Sequence, residues 1–189
     1  MKLLQTDLPG VLIVEPAVFR DDRGWFMESW NAARFADGVQ ALGLPRPRDF
    51  VQDNHSCSSA GVLRGLHYQL PPHPQGKLVR VVKGTAFDVA VDIRRSSPHF
   101  GRWVGVELSA SNHRQLWVPE GFAHAFVALE DDTHFLYKTT DVYARDCERA
   151  IRWDDPALAI AWPLPGGFPP KVAPKDAAAP RLAEAEIFA

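Results

Sequence analysis

Cysteine, methionine and tyrosine are scarce in this chain of 189 residues, which holds two, two and three of them respectively. Cys57 and Cys147 are too few for a disulfide framework and match no metal-binding spacing, so we interpret both as free thiols in a reducing compartment. A surplus of either charge is also missing. The formal net charge of -2 gives no electrostatic reason to expect nucleic acid or an anionic membrane as a partner, and we predict neither.

Long apolar runs are absent as well. Near the N-terminus, Leu12-Ile13-Val14 is interrupted by Glu15-Pro16, which leaves a stretch too short for the core of a signal peptide. No uninterrupted run approaches the roughly 20 residues that a membrane-spanning helix needs. We therefore predict a cytoplasmic protein. A hydrophobic content of 46% and a charged content of 23% are typical of a globular protein, and the length predicts a single domain over 1–189.

Short segments with the periodicity of β-strands fill the middle of the chain. Residues 87–93 alternate between large apolar side chains and small or acidic ones, which predicts a strand with one buried face. Similar runs occur at 78–82, 103–108, 115–118, 123–129 and 135–139. Turn residues such as Lys83-Gly84 and Ser97-Pro98 separate these runs. Many short strands with few helical stretches between them predict an all-β sandwich or barrel.

Helical signals are weak and peripheral. One short helix is predicted at 31–35, following a strand at 26–30. From 162 to 180 the chain is rich in proline and glycine, and it ends in an alanine-rich run that could form a turn or two of helix. We interpret this C-terminal part as a tail that packs back on the barrel, not as a second domain.

Polar residues with catalytic potential concentrate between residues 50 and 77, and His67 is the first of them. If 63–69 is a regular strand, positions 63, 65, 67 and 69 share a face, and Gly65 leaves open space for a ligand. An imidazole, with an ordinary pKa of about 6.5, is a suitable base at neutral pH. A single histidine is more often structural, but the nearby Arg64 and Lys77 favour a functional role here.

Cations and amides surround this histidine in the sequence. Lys77 could stabilise an oxyanion on a substrate, although a solvated lysine at a strand end explains it equally well. Arg64 and Arg23 are candidates for a bidentate grip on phosphate, although a surface ion pair is the commoner fate of a single arginine. Gln52 and Asn54 share strand parity and could bind sugar hydroxyls or phosphate oxygens, or could simply be solvated on an edge strand.

Two later segments add an aromatic and a second imidazole. Tyr137 shares a strand face with Phe135, so its phenol could face inward and donate or accept a proton, or could be a satisfied core hydroxyl. His124 shares a face with Phe122 and Phe126. It could contact a ligand, bind a metal or be a buried histidine, and the pattern leaves these three possibilities open.

The spacing of these residues also bears on metal binding. A metal-binding cupin carries two histidines two residues apart, then a carboxylate, and a third histidine on a later strand. His67 and His124 occupy two of those places, but Gln69 stands where the second histidine would be and Lys77 lies near the carboxylate position. Two imidazoles and a cation do not make a site for a divalent metal, so we predict a cupin-like barrel without metal.

Several longer motifs in the correct order make the sequence similar to the dTDP-4-dehydrorhamnose 3,5-epimerase family. They lie at 50–56, 63–69, 76–82, 114–124, 135–140 and 175–177. The similarity runs from about Gly10 to Leu182, and a proline-rich stretch at 164–170 departs from the family outside these motifs. The resemblance implies a double-stranded β-helix jelly roll of cupin type with short peripheral helices. It also implies a homodimer that works without cofactor or metal.

The resemblance further implies an activity and the roles of individual residues. The expected reaction inverts C3 and C5 of dTDP-4-dehydro-6-deoxy-D-glucose to give dTDP-4-dehydro-L-rhamnose. His67 would be the base, Asp176 its carboxylate partner, Tyr137 the acid on the opposite face and Lys77 the cation that stabilises the enolate. Substrate contacts would come from Arg23, Glu28, Gln52, Asn54, Arg64, Lys77, His124, Tyr143, Glu148 and Lys175.

Three other functions stay open at this stage. A relative that inverts only C3 or only C5 would share the same base and acid, so motif residues separate it poorly. A metal-dependent cupin oxygenase or isomerase is disfavoured by Gln69 and Lys77. A non-catalytic module that binds nucleotide sugars is disfavoured by the set of His67, Asp176 and Tyr137, because a binder needs no opposed acid and base.

Overall fold

The computed structural model describes residues 1–167 and 169–189, and within these ranges it contains thirteen β-strands and two α-helices. The strands are β1 Lys2–Gln5, β2 Leu12–Glu15, β3 Val18–Asp21, β4 Gly24–Met27, β5 Gln52–Ser58, β6 Leu63–Gln69, β7 Lys77–Lys83, β8 Thr85–Asp92, β9 Trp103–Ser109, β10 Gln115–Val118, β11 Phe122–Ala128, β12 Thr133–Thr139 and β13 Glu148–Ala150. The α-helices are α1 Ala32–Ala41 and α2 Pro174–Ala177, and 3-10 helices occur at Arg145–Cys147 and Pro165–Gly167.

Two antiparallel sheets form the body of the molecule. One has six strands in the order β1-β2-β10-β7-β12-β5, and the other has five strands in the order β13-β6-β11-β8-β9. Strands β3 and β4 form a separate hairpin. This architecture confirms the expected all-β jelly roll with short peripheral helices. In the described part of the chain, no helix is long and apolar enough to cross a membrane.

The main core fills the space between the two sheets. Val79, Val81 and Phe135 from the six-stranded sheet pack in one cluster with Leu108 and Phe126 from the five-stranded sheet. The Phe126 and Phe135 rings stack with their centroids 3.9 Å apart. Burial of these side chains stabilises the sandwich by about 1.5–3 kcal/mol for each large residue.

A second apolar cluster covers the outer face of the five-stranded sheet. Val89 and Val91 of β8 pack there against Leu158, Leu182 and Ala185 of the C-terminal segment. The prediction that 87–93 has one buried and one solvated face is therefore wrong. Both faces of β8 are covered, and Asp88 and Asp92, expected in solvent, are fully buried.

The peripheral helices also differ from the predicted ones. Helix α1 is longer than predicted, because the Asn31 side chain caps its N-terminus and Phe35 and Val39 bury its apolar face. The preceding strand, β4, ends at Met27 because it pairs with β3 in the hairpin. The C-terminal helical turn is α2, which lies before the alanine-rich end instead of within it. The proline-rich stretch at 164–170 includes Phe168, which lies outside the described residues.

Candidate active site

A polar cavity of about 360 Å³ lies between the two sheets. Strands β5, β6, β7, β12 and β13 all contribute side chains to its wall. Residues that the sequence analysis singled out and that line this cavity are Gln52, Asn54, His67, Gln69, Lys77, Tyr137, Tyr143 and Glu148. The fold therefore brings into one space side chains that lie as far apart in sequence as Gln52 and Glu148.

His67, in the wall of this cavity, forms a hydrogen bond with Asp176. Its Nε2 atom lies 2.7 Å from Oδ1 of Asp176, and the second carboxylate oxygen accepts the Gly65 N–H at 3.4 Å. Asp176 is only 2% exposed. Burial alone would raise the pKa of Asp176, but the hydrogen bond and charge of His67 bring it below its ordinary value. The carboxylate is thus ionised at neutral pH and fixes the orientation of the imidazole.

Short backbone contacts place Asp176 beside β6. Lys171 bridges to Val62 in a parallel arrangement, and its carbonyl accepts the Leu63 N–H at 3.0 Å. The chain then turns at Pro174 into α2, which carries Asp176. Proline suits the first turn of a helix because its missing N–H would have no partner there.

The strand geometry around His67 is less regular than the sequence predicts. His124 of β11 pairs with His67, whereas Phe126 pairs with Arg64, so β6 holds one extra residue between these two pairs. His67 and Gln69 still line the cavity together, but Leu63 does not share their face. The idea that Gly65 leaves room for a ligand is also wrong. A Cβ at Gly65 would lie 2.6 Å from Cα of Ala125, so strand β11 fills that space.

Lys77 is a buried cation next to His67. Its Nζ donates to the His67 carbonyl oxygen at 3.2 Å, and the residue is 8% exposed. Burial lowers the pKa of Lys77 to about 8, against the opposing charges of Asp88 and Glu148. The lysine is therefore a charged donor at neutral pH that loses its proton under mildly alkaline conditions.

Tyr137 lies on β12, between Asn54 of β5 and Val79 of β7. Burial raises the pKa of its phenol, which outweighs the opposing charge of Arg64. The hydroxyl is consequently protonated at neutral pH. It is an available proton donor in the wall of the cavity that also contains His67.

Asp88 and His124 form a buried pair, of which only His124 was predicted as a candidate site residue. His124 Nε2 lies 2.5 Å from Asp88 Oδ1, and among the described residues Asp88 Oδ2 has no hydrogen-bond partner. Burial raises the pKa of Asp88, and the charges of His124 and Lys77 oppose that rise. Strand alternation predicts a solvated face for Asp88, so the sequence pattern does not mark this residue as part of a site. A carboxylate within the apolar run 87–93 was the signal that could have revealed it.

A network of amides and charges, which includes the half-exposed ring of Tyr143, lines another part of the cavity. The Tyr143 hydroxyl donates to Glu148 at 3.1 Å, and Lys175 Nζ donates to the same carboxylate at 3.0 Å. Burial would raise the pKa of Glu148, but Lys175 holds it below its ordinary value. Gln52 accepts the Tyr143 N–H at 2.9 Å and donates to Asn54 at 3.0 Å. These contacts hold the Tyr143 ring and two amides at the entrance.

Gln69 has a positioning role in this network. Its Oε1 accepts the Ala144 N–H at 2.9 Å, and its Nε2 donates to the carbonyl oxygens of His73 and Val142 at 2.6 and 3.2 Å. The amide therefore holds the loop that carries Tyr143. A histidine at this place would have fewer groups to offer those three backbone atoms.

The family model for dTDP-4-dehydrorhamnose 3,5-epimerase matches residues 5–184 of the chain. The chain belongs to this epimerase family. A curated dTDP-4-dehydrorhamnose 3,5-epimerase from Shigella flexneri is 53% identical over 188 residues, which covers 100% of this chain and 99% of the relative. The expected family membership is therefore confirmed, and the enzyme is an isomerase of the epimerase type.

Two solved structures show how the epimerase fold is shared. The dTDP-6-deoxy-D-glucose-3,5-epimerase from Legionella pneumophila in complex with dTDP-4-keto-L-rhamnose is 49% identical with a TM-score of 0.88, over 97% of this chain and 93% of that one. A 3'-monoepimerase from Streptomyces bikiniensis in complex with dTDP-quinovose is 35% identical with a TM-score of 0.84, over 97% and 88%. The same fold therefore occurs in a protein named as a 3,5-epimerase and in one named as a 3'-monoepimerase.

Five of the residues expected to contact substrate do not line the cavity: Arg23, Glu28, Arg64, His124 and Lys175. Arg23 pairs with Asp21 at the tip of the β3–β4 hairpin, where its side chain is 89% exposed. Glu28 accepts from Asn31 and Arg34 at 3.1 and 3.2 Å. Arg64 donates to Ser58 at 3.2 Å and acts on Tyr137 through its charge. Their substrate contacts therefore stay predictions.

Proposed function

We propose that the enzyme inverts C3 and C5 of dTDP-4-dehydro-6-deoxy-D-glucose, giving dTDP-4-dehydro-L-rhamnose in dTDP-L-rhamnose biosynthesis. The observation that carries the proposal is the 2.7 Å contact of His67 with Asp176 at a cavity that Lys77 and Tyr137 also line. A base, a cation and a protonated phenol are the three groups that an enolate mechanism requires.

His67 removes the proton in each half of the reaction. The C4 ketone acidifies the hydrogens on C3 and C5, so loss of either leaves an enolate with its charge on O4. Because Nε2 of His67 is engaged by Asp176, Nδ1 is the ring atom that accepts the proton. The ionised Asp176 then stabilises the imidazolium that forms.

Lys77 stabilises the enolate and Tyr137 completes the inversion. The Lys77 ammonium donates to O4 while the negative charge develops there. The Tyr137 hydroxyl returns a proton to the same carbon from the opposite face, the electron pair on O4 re-forms the ketone, and the configuration is inverted. His67 then releases its proton to solvent and Tyr137 regains one from solvent before the second carbon reacts. Since no atom changes its oxidation state, the reaction needs no redox cofactor, and we propose that the chemistry in the cavity uses neither cofactor nor metal.

Asp88 and His124 position Lys77 in this proposal. The buried Asp88 carboxylate lies close enough to raise the pKa of Lys77 against the effect of burial, and His124 pairs with that carboxylate. Without this negative charge the lysine would be deprotonated more readily inside the barrel. Asp88 therefore keeps the cation charged where the enolate oxygen needs it.

The entrance network binds the nucleotide portion of the substrate. Gln52, Asn54 and Lys175 offer donors for sugar hydroxyls and phosphate oxygens, and the exposed ring of Tyr143 offers a stacking surface. Arg64 adds a planar cation for a phosphate group. The dTDP-4-keto-L-rhamnose bound to the Legionella pneumophila relative supports a dTDP-linked 4-keto sugar as the ligand.

The homodimer and the cytoplasmic location belong to the proposal as well. The β3–β4 hairpin exposes Phe19, Trp25 and Phe26, at 65%, 52% and 71% of their surface. Burial of such a patch against a second copy of the chain would stabilise a dimer. Arg23 and Glu28 would then reach a substrate only across that interface.

Cys57 and Cys147 are free thiols, as expected in a reducing cytoplasm.

The test is NMR of dTDP-4-keto-6-deoxyglucose in deuterium oxide with the enzyme and a chelator. Deuterium at both C3 and C5, followed by formation of dTDP-rhamnose when a reductase is added, is the expected result. Label at one carbon only would place the enzyme with single-centre relatives such as the Streptomyces bikiniensis protein. Absence of exchange at both carbons would overturn the epimerase mechanism and favour a module that only binds nucleotide sugars.

A further inference from the structure

Strand β12 has two faces with different chemistry. Phe135 and Tyr137 point between the sheets, whereas His134 points to the outer surface of the six-stranded sheet. Cys57 of the neighbouring strand β5 is the register partner of His134, so the thiol lies on the same outer face. Asp132 precedes β12 in a left-handed backbone conformation, with φ of 56°. This outer cluster of Cys57, Asp132 and His134 takes no part in the mechanism above.

A single carboxylate oxygen joins the three side chains. Asp132 Oδ1 accepts from the Cys57 thiol at 3.1 Å and lies 3.0 Å from His134 Nε2. The thiol, imidazole and carboxylate atoms all lie within 4.8 Å of one another. Oδ2 of the same carboxylate is paired with the Lys83 ammonium, so Oδ1 is the oxygen that faces the thiol and the imidazole.

The chemistry of these atoms is that of a zinc-class site. Thiolate, imidazole and carboxylate bind zinc at about 2.0–2.3 Å, and three protein ligands with a water molecule complete a tetrahedron. A thiolate ligand favours zinc or cobalt over magnesium and calcium. His55 Nε2 lies 3.0 Å from His134 Nδ1, so it fixes the imidazole orientation as the partners of metal-bound histidines commonly do.

We propose that Cys57, Asp132 and His134 bind one zinc-class divalent cation on the outer surface of the barrel. The cation replaces the thiol proton of Cys57, which is released to solvent, and breaks the hydrogen bonds that now converge on Asp132 Oδ1. It links β5, β12 and the turn before β12. The site lies on the face of β12 opposite Tyr137, so it is separate from the catalytic cavity.

The probe is Co²⁺ alone, titrated into the reduced, chelator-treated full-length protein. Cobalt bound to a thiolate absorbs in the near ultraviolet through charge transfer from sulfur, and a merely histidine-bound surface ion does not. We expect one equivalent of Co²⁺ to produce this band. Zn²⁺, measured by competition with a chromophoric chelator, should then displace the cobalt.

Matched variants assign the ligands. Cys57→Ser should abolish the band, and His134→Asn and Asp132→Asn should each weaken binding at least tenfold. Asparagine tolerates the left-handed conformation at position 132, so that variant keeps the turn. Cys147→Ser is the control with the other thiol removed, and it should bind like wild type. No saturable binding of one equivalent, or a band that survives in Cys57→Ser, would overturn the proposal.

Discussion

Nε2 of His67 lies 2.7 Å from Oδ1 of Asp176, although 109 residues separate the two side chains in sequence. The contact fixes the orientation of the imidazole and places an anion beside it. Because Asp176 is buried and also accepts the Gly65 N–H, the carboxylate has little freedom to rotate away. The proposed mechanism depends on this pair more than on any other contact in the cavity.

Asp176→Asn tests the charge of this pair while keeping its shape. We expect kcat to fall about 100-fold or more, because the imidazolium loses its stabilising anion. Stability should change as well. The folded pKa of Asp176 lies below its unfolded value, so its contribution is present above the unfolded pKa and is lost as pH falls through the folded one. Thermal melts between about pH 2 and 6 should show a shallower acid decline for the variant. An unchanged kcat would remove Asp176 from the mechanism.

The lowered pKa of Lys77 predicts that activity declines at alkaline pH. The ammonium is present below its pKa of about 8 and disappears above it, so kcat should decline as pH rises through that value. Lys77→Met should lower kcat about 100-fold or more and abolish this particular decline, because the donor to the enolate oxygen is gone. Lys83→Met, which changes an exposed lysine at the far end of β7, is the control. A wild-type rate in Lys77→Met would contradict the assignment.

Asp88→Asn tests whether the charge of Asp88 keeps Lys77 protonated. The charge of Asp88 raises the pKa of Lys77 against the effect of burial, so its removal should shift the alkaline decline of kcat to lower pH. A purely structural role would reduce the amount of folded enzyme without moving the pH profile. The measurement is kcat against pH for the folded variant, with circular dichroism to verify the fold. An unmoved profile would refute the positioning role.

Tyr137→Phe should uncouple proton removal from inversion. His67 can still take a proton and return it to the same face, so deuterium exchange should outlast net product formation. His67→Asn is the comparison, because it should abolish exchange and product together. Mass spectrometry of recovered substrate gives the exchange, and the reductase-coupled assay gives the product. Equal loss of both in Tyr137→Phe would show that the phenol is not simply the returning acid.

The extent to which this site was predictable differs from residue to residue. His67 and Gln69 were expected on one face from strand periodicity, and both line the cavity. Leu63 was expected on the same face, and Gly65 was expected to leave space for a ligand. Both predictions are wrong, because the extra residue in β6 and the close approach of β11 arise from strand pairing, which strand periodicity does not show. Asp88 shares a face of β8 with Ala86 and Ala90, which point into the core between the two sheets, and strand alternation alone does not indicate that both faces of a strand are covered.

The residue types and their order were enough to indicate an all-β chain, the family and the side chains able to do its chemistry. Alternation, turn residues and long motifs are local properties, and they can be read along a strand or across a few neighbouring positions. The pKa of Lys77, the burial of Asp88 and the outer cluster at Cys57 were decided by the tertiary structure alone. Each depends on which distant segments come together and on how much water their contact excludes, because burial and neighbouring charge set the energy of an ionised group.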